Sequence, residues 1–312
     1  MKAELKTIPF SYRTGSGKEY RIPLSCQLFG KDLFSAPIIL VNHALTGNSE
    51  VAGENGWWKR LIGENQAIDT NRYTVLCFNI PGNGYDDFFI DAYEDFTAAD
   101  IAGIFLKGLE LLNIKKLHAL IGGSLGGGIG WEMLVKNPVL SEIFIPIACD
   151  FRTHDWLHAQ CLVQKFLLNQ EEEPLQKARI HAMLCYRTPE SLNERFRNRY
   201  NAEKHRLESE DWLTYHGDAL NERFSLKSYK LMNHLLMNIN ADETKLKDIT
   251  SGIHLISVDT DLFFPASEMR MCYRKLKENK KRVFCHEIQS IHGHDAFLME
   301  YEQLNTIIKN IL

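Results

Sequence analysis

The chain has 312 residues, 45% hydrophobic and 24% charged, which suffices for one large α/β domain or a core domain carrying an insertion. Its net charge of −4 argues against nucleic-acid binding, which asks for a concentrated basic face, and no apolar run reaches membrane-spanning length. The N-terminal MKAELKTIPFSYRTGSGKEY lacks the apolar stretch of a signal peptide. Seven scattered cysteines, without a CxxC pair or a Cys/His cluster, fit reduced thiols in a cytoplasmic protein with no metal site.

Short apolar runs then recur: PIILVNH (37–43), YTVLCFNI (73–80), KLHALIGG (116–123), EIFIPIA (142–148), IHLISVD (253–259) and KRVFCHEI (281–288). Each has strand length and nearly continuous hydrophobicity, the pattern of parallel strands covered on both faces. Between them, 95–114 sets Ile101, Ile104, Phe105, Leu109 and Leu112 at helical spacing. The last segment, 295–312, is expected to be one helix with Phe297, Leu298, Tyr301, Leu304, Ile307 and Ile308 on a single face. Alternating strand and helix signals predict a doubly wound α/β sheet. From 151 to 245 strand signals give way to charged, helix-favouring sequence punctuated by Leu162, Phe166, Leu167, Met183 and Leu184. The expected organisation is a core of residues 1–150 and 246–312, interrupted by a helical lid at 151–245.

The chemistry centres on LIGGSLGGGIGWEM (120–133). Gly122-Gly123-Ser124-Leu125-Gly126 is a G-x-S-x-G pattern with a strand before it and a helix after it, the context a nucleophile elbow demands. The competing reading is a glycine-rich packing turn. A serine nucleophile needs a general base. IHGHDAF offers His294, with His292 as its rival, in a loop between the last strand and the last helix. A carboxylate should follow a strand between serine and histidine in chain order; Asp259 and Asp261 in IHLISVDTDLFFP both qualify. Oxyanion donors are expected from the N–H of Leu125 and from the loop VNHALTGNS (41–49). His43, in that loop, precedes the serine and fits a base poorly. GGSLGGG lacks the Lys-Ser/Thr ending of a phosphate-binding loop, and no acidic residue supports a dinucleotide fingerprint.

In family order from about residue 37 to 298, NHALTGNS, GWWKRLIGENQAIDTNRYTVLCFN, GGSLGGG, ARIHAMLCYRT, TDLFFP and GHDAF resemble the homoserine O-acetyltransferase family, acetyltransferases of methionine biosynthesis. The resemblance implies an α/β-hydrolase fold, with a mostly parallel central sheet flanked by helices and an inserted helical lid. It implies acyl transfer from an acyl-CoA, acetyl-CoA above all, to the hydroxyl of L-homoserine, with no further cofactor. Carried over residue by residue, it selects Ser124, Asp261 and His294 as the triad and Leu45 and Leu125 as oxyanion donors. It selects Arg179, Tyr186 and Asp295 as acceptor-binding residues. A guanidinium and a carboxylate suit the two charges of an amino acid. Without the resemblance, Arg179 reads as a solvated helix residue paired with Glu171–Glu173.

The chain departs from the family in the short loop NIPGNGYDDFF (79–89), in Cys185 before Tyr186, and in Leu125 where methionine is usual. The loop bears on acyl-donor and acceptor choice. Family members often dimerise through the lid helices, which apolar residues within 151–245 permit here. A serine hydrolase using water is the rival enzyme, and a non-catalytic scaffold of the same fold is the rival from another class.

Overall fold

A computed structural model describes residues 3–279 and 282–312. The chain opens with an antiparallel hairpin of β1 (Lys6–Arg13) and β2 (Glu19–Gly30). β3 (Ile38–Asn42), the two-residue strands β4 (Ile62–Gly63) and β5 (Ile68–Asp69), and β6 (Thr74–Phe78) follow. Then come α1 (Ala98–Leu111), β7 (Leu117–Gly123), α2 (Leu125–Lys136) and β8 (Ser141–Ile147). A helical stretch intervenes: α3 (Asp155–Leu168), α4 (Pro174–Tyr186), α5 (Pro189–Phe196), α6 (Glu208–Arg223) and α7 (Leu226–Met237). A short ribbon of β9 (Tyr200–Asn201) and β10 (Arg206–Leu207) separates α5 from α6. β11 (Gly252–Val258), α8 (Ala266–Asn279), β12 (Val283–Ile288) and α9 (Tyr301–Ile311) complete the chain.

The main sheet runs β1-β2-β6-β3-β7-β8-β11-β12. β2 pairs antiparallel with β1 and β6, and every other pairing is parallel. This is the expected α/β-hydrolase architecture. Alternation within the central strands explains it. Leu40, Leu76, Phe78, Leu120 and Phe144 point into a core shared with α1, α2 and α8, while Ile39, Val41, Val75, Ile121 and Ile145 point into one shared with α9 and Trp58. A strand apolar on both sides is stable only between two helical layers. α1 starts cleanly because Thr97 and Asp100 form a reciprocal capping box. No helix among the described residues is long and apolar enough to cross a membrane.

Several expectations need correction. The β1–β2 hairpin was not anticipated, although Ile8, Phe10 and Tyr12 alternate toward the core. The C-terminal segment is not one helix: Gly293–Leu298 is a 3-10 turn, and α9 starts only at Tyr301. Phe297 is drawn down against Gly123 and Trp58, and that tertiary contact overrides the helical period. The region 151–245 is helical as expected, with Met183 buried and Leu162, Phe166 and Leu184 exposed; the inner face of α3 is formed by Leu157, Cys161, Gln164 and Leu168. The β9–β10 ribbon lay hidden in highly charged sequence. The last strand was expected from Lys281, which lies outside the described residues, as does Met1-Lys2 at the N-terminus.

The feature that positions the site is the close approach of β3 to the start of α2. Asn42 is in register with Gly122, and a Cβ on Gly126 would collide with the carbonyl oxygens of Asn42 and His43. Overpacking of this kind costs about 1–3 kcal/mol. Gly126→Ala is therefore expected to lower the urea-unfolding free energy by about that amount; an unchanged midpoint and slope would mean the two backbones are not wedged together.

Candidate active site

Ser124 follows β7, as the N-cap of α2, at φ 53° and ψ −126°, a backbone conformation that L-residues seldom adopt. It is held there from both sides: its N–H donates to Ile147 O at 2.9 Å, and its carbonyl accepts from Gly127 and Gly128 N–H at 2.9 and 3.1 Å. The side chain then stands at the head of α2 and meets His294, whose Nε2 lies 2.9 Å from Ser124 Oγ. His294 Nδ1 lies 2.7 Å from Asp261 Oδ2. An ionised carboxylate only accepts, so Nδ1 carries the proton and Nε2 is free to accept from the serine hydroxyl. The other Asp261 oxygen accepts from Phe263 and Phe264 N–H at 2.7 and 2.9 Å, which fixes the carboxylate. Exposure of the three residues is 4%, 4% and 3% for Ser124, Asp261 and His294. The imidazole is packed by the rings of Tyr186, Phe263, Phe264 and Phe297, at 5.1–5.7 Å between centroids. Such a site is dry, and electrostatic interactions in it are strong.

The alternative residues do other jobs. Asp259 accepts from Ser290 N–H and braces the turn after β12. His292 Nδ1 contacts Ser191 Oγ at 2.8 Å, away from Ser124. His43 is fully buried; its Nε2 accepts from Ile80 N–H at 3.0 Å, so Nδ1 carries the proton and donates to Ala44 O at 2.8 Å. Burial pushes its pKa down to about 4. His43 thus ties the loop bearing Leu45 to the start of the 79–89 segment and serves no base role. Leu125 is the first residue of α2, where an N–H has no carbonyl one turn back to donate to. Leu45 lies three residues beyond Asn42, whose carbonyl abuts Gly126, so its loop flanks the elbow.

Of the three residues expected to bind an acceptor, Tyr186 packs on the imidazole, Arg179 lies beside Tyr186, and Asp295 is paired with another arginine. Tyr186 is buried against His294 and Phe263, and burial raises its pKa well above the usual phenol value. The Arg179 guanidinium lies 5.7 Å from the Tyr186 ring centre, and its buried Nε has no hydrogen-bond partner. Arg179 makes no ion pair with Glu171–Glu173. Asp295, one residue past the imidazole, is paired through Oδ2 with Arg187 Nε at 2.8 Å. Sequence reasoning missed Arg187, although it stands in the same ARIHAMLCYRT stretch that supplied Arg179 and Tyr186.

Known proteins share this chain's sequence and shape. A family profile described as alpha/beta hydrolase fold matches residues 37–143. The homoserine O-acetyltransferase of Cyclobacterium marinum is 30% identical over 305 residues, covering 88% of this chain and 84% of the relative. That of Carboxydothermus hydrogenoformans is 28% identical, covering 88% and 85%. Among solved structures, homoserine O-acetyltransferase from Staphylococcus aureus superimposes with a TM-score of 0.83 at 24% identity, covering 99% of this chain and 94% of that one. Esterase E22 superimposes with a TM-score of 0.88 at 18% identity, covering 99% of both chains. At such identities the superpositions speak for the fold alone.

The His43 anchor has a measurable consequence. The native state holds His43 neutral, whereas the unfolded chain takes up a proton near pH 6.5. Its contribution to stability is therefore complete above about pH 6.5 and declines toward pH 4, by about 3 kcal/mol in total. Urea unfolding at pH 7 and pH 5 should show a smaller loss on acidification in His43→Gln than in the parent chain. An identical pH dependence in the two proteins would contradict the burial of a neutral imidazole.

Proposed function

Because the chain belongs to the homoserine O-acetyltransferase family, we propose that it moves an acetyl group from acetyl-CoA to the hydroxyl of L-homoserine through an acyl-enzyme on Ser124. The observation that carries this reading is the buried relay Ser124–His294–Asp261, at 2.9 and 2.7 Å. His294 takes the Ser124 proton as Oγ attacks the thioester carbonyl. Asp261 holds the ring in the required tautomer and stabilises the imidazolium that forms. The N–H groups of Leu125 and Leu45 receive the developing oxyanion, one such donor being worth about 3 kcal/mol of barrier. As the C–S bond breaks, the sulfur leaves with the proton from His294, giving free CoA and acetyl-Ser124.

The second half runs in reverse with a new nucleophile. Homoserine enters with its carboxylate on Arg179 and its ammonium on Asp295. His294 removes its hydroxyl proton, the alkoxide attacks the ester, and Ser124 recovers its proton. The helical lid of residues 151–245 brings Arg179 and Tyr186 to the site and keeps water from the ester. Arg179 and Asp295 favour this reading over a plain esterase, which has no use for that charge pair.

Release of free thiol from acetyl-CoA by the purified protein is expected to rise many-fold on adding L-homoserine, with O-acetylhomoserine as product. Slow release indifferent to homoserine would point to water or another acceptor. Ser124→Ala should reduce turnover by about 10⁶, and Asp261→Asn by about 10⁴ through the wrong imidazole tautomer. Wild-type turnover in Ser124→Ala would contradict the scheme.

A further inference from the structure

The carboxylate of Asp295 is occupied on one side only. Arg187 Nε donates to Oδ2 at 2.8 Å, with side chains 12% and 19% exposed, and no donor among the described residues reaches Oδ1. The Arg187 guanidinium is itself held: it follows the last turn of α4 and lies over the Trp212 ring of α6, 5.8 Å from its centre. Next to this closed pair, Arg179 presents a guanidinium with no ion-pair partner. Beside His294 there is therefore a neutralised carboxylate with one oxygen free of donors, near Arg179, which has no ion-pair partner among the described residues and has Arg223 of α6 within electrostatic reach.

We propose that Arg187 is a positioning residue for acceptor selection: it ties Oδ2 of Asp295 so that Oδ1 faces the ammonium of an amino-acid acceptor whose carboxylate rests on Arg179. This rests on the acyl-transfer reading above. The physical reason is the cost of an unpaired, partly desolvated carboxylate before the acceptor arrives, which a fixed counterion lowers. A flexible ammonium in place of Arg187 could not hold the same geometry, because the guanidinium is planar and lies over Trp212. An acceptor with hydroxyl and carboxylate but no amine lacks the cation that Oδ1 would pair with and is disfavoured.

The test compares L-homoserine with 4-hydroxybutanoate, the same chain without the amine, in the parent protein, Arg187→Met and Arg187→Lys, with thermal melts on each. Arg187→Met is expected to raise KM for homoserine about tenfold with kcat changed less than about threefold, and to leave KM for 4-hydroxybutanoate unmoved. The preference for the amino acid then shrinks, and Arg187→Lys restores part of it. Equal effects on both acceptors, an unchanged KM or a lowered KM for homoserine would overturn the proposal and leave Arg187 a clamp between α4 and the His294 loop. If Arg187→Met does not fold, the Lys variant decides: homoserine KM and preference indistinguishable from the parent would overturn it. A parent protein that labels at Ser124 with a fluorophosphonate yet acylates neither acceptor would overturn the acyl-transfer reading, and this inference with it.

Discussion

Everything at the site depends on two backbones lying closer than side chains permit. The end of β3 presses on the start of α2 at Gly126, and the turn between β7 and α2 puts Ser124 at a positive φ. A conformation of this kind costs about 1–3 kcal/mol and persists only where the surroundings over-determine it. Here they do: strand pairing to β8 holds the Ser124 N–H, the first turn of α2 holds its carbonyl, and Asn42 Nδ2 donates to Gly126 O at 3.2 Å. The same wedge sets the loop carrying Leu45 alongside the N-terminus of α2. One contact thus fixes Ser124 at the head of α2 and sets the Leu45 loop beside it.

The second constraint is dryness. Ser124, Asp261 and His294 come from three different loops at the C-terminal ends of β7, β11 and β12, and burial makes their hydrogen bonds decisive. A buried carboxylate is tolerable because both its oxygens have donors: His294 on one, two backbone N–H groups on the other. Four aromatic rings around the imidazole keep solvent out without competing for its nitrogens. The charged groups nearest the relay, Arg179 and the Arg187–Asp295 pair, lie at its partly exposed rim.

The sheet was legible in the sequence because its central strands are apolar on both faces, and the serine because glycine gathers only where backbones must touch. Chain order and loop placement narrowed the other two site positions to pairs of candidates. The family resemblance selected one of each, and these are the members that lie within hydrogen-bond distance of one another. What stayed hidden depends on long-range contacts. Nothing local distinguishes Arg187 from Arg179 as the partner of Asp295, since the pairing joins residues 108 apart in sequence. Phe297 fits a helical period with Tyr301 and Leu304, but its ring packs against Gly123 and Trp58, and the helix starts only at Tyr301. The apolar pattern of α3 does not by itself tell its inward Cys161–Gln164–Leu168 face from the exposed Leu162 and Phe166.

The central claim is that Ser124 carries the acyl group between donor and acceptor. Mass spectrometry of the protein quenched rapidly after mixing with acetyl-CoA tests it most directly. The account predicts an acetyl adduct confined to the peptide containing Ser124, formed without acceptor and discharged when L-homoserine is added. Turnover without any adduct, or an adduct on another residue that forms and discharges at the catalytic rate, would contradict it.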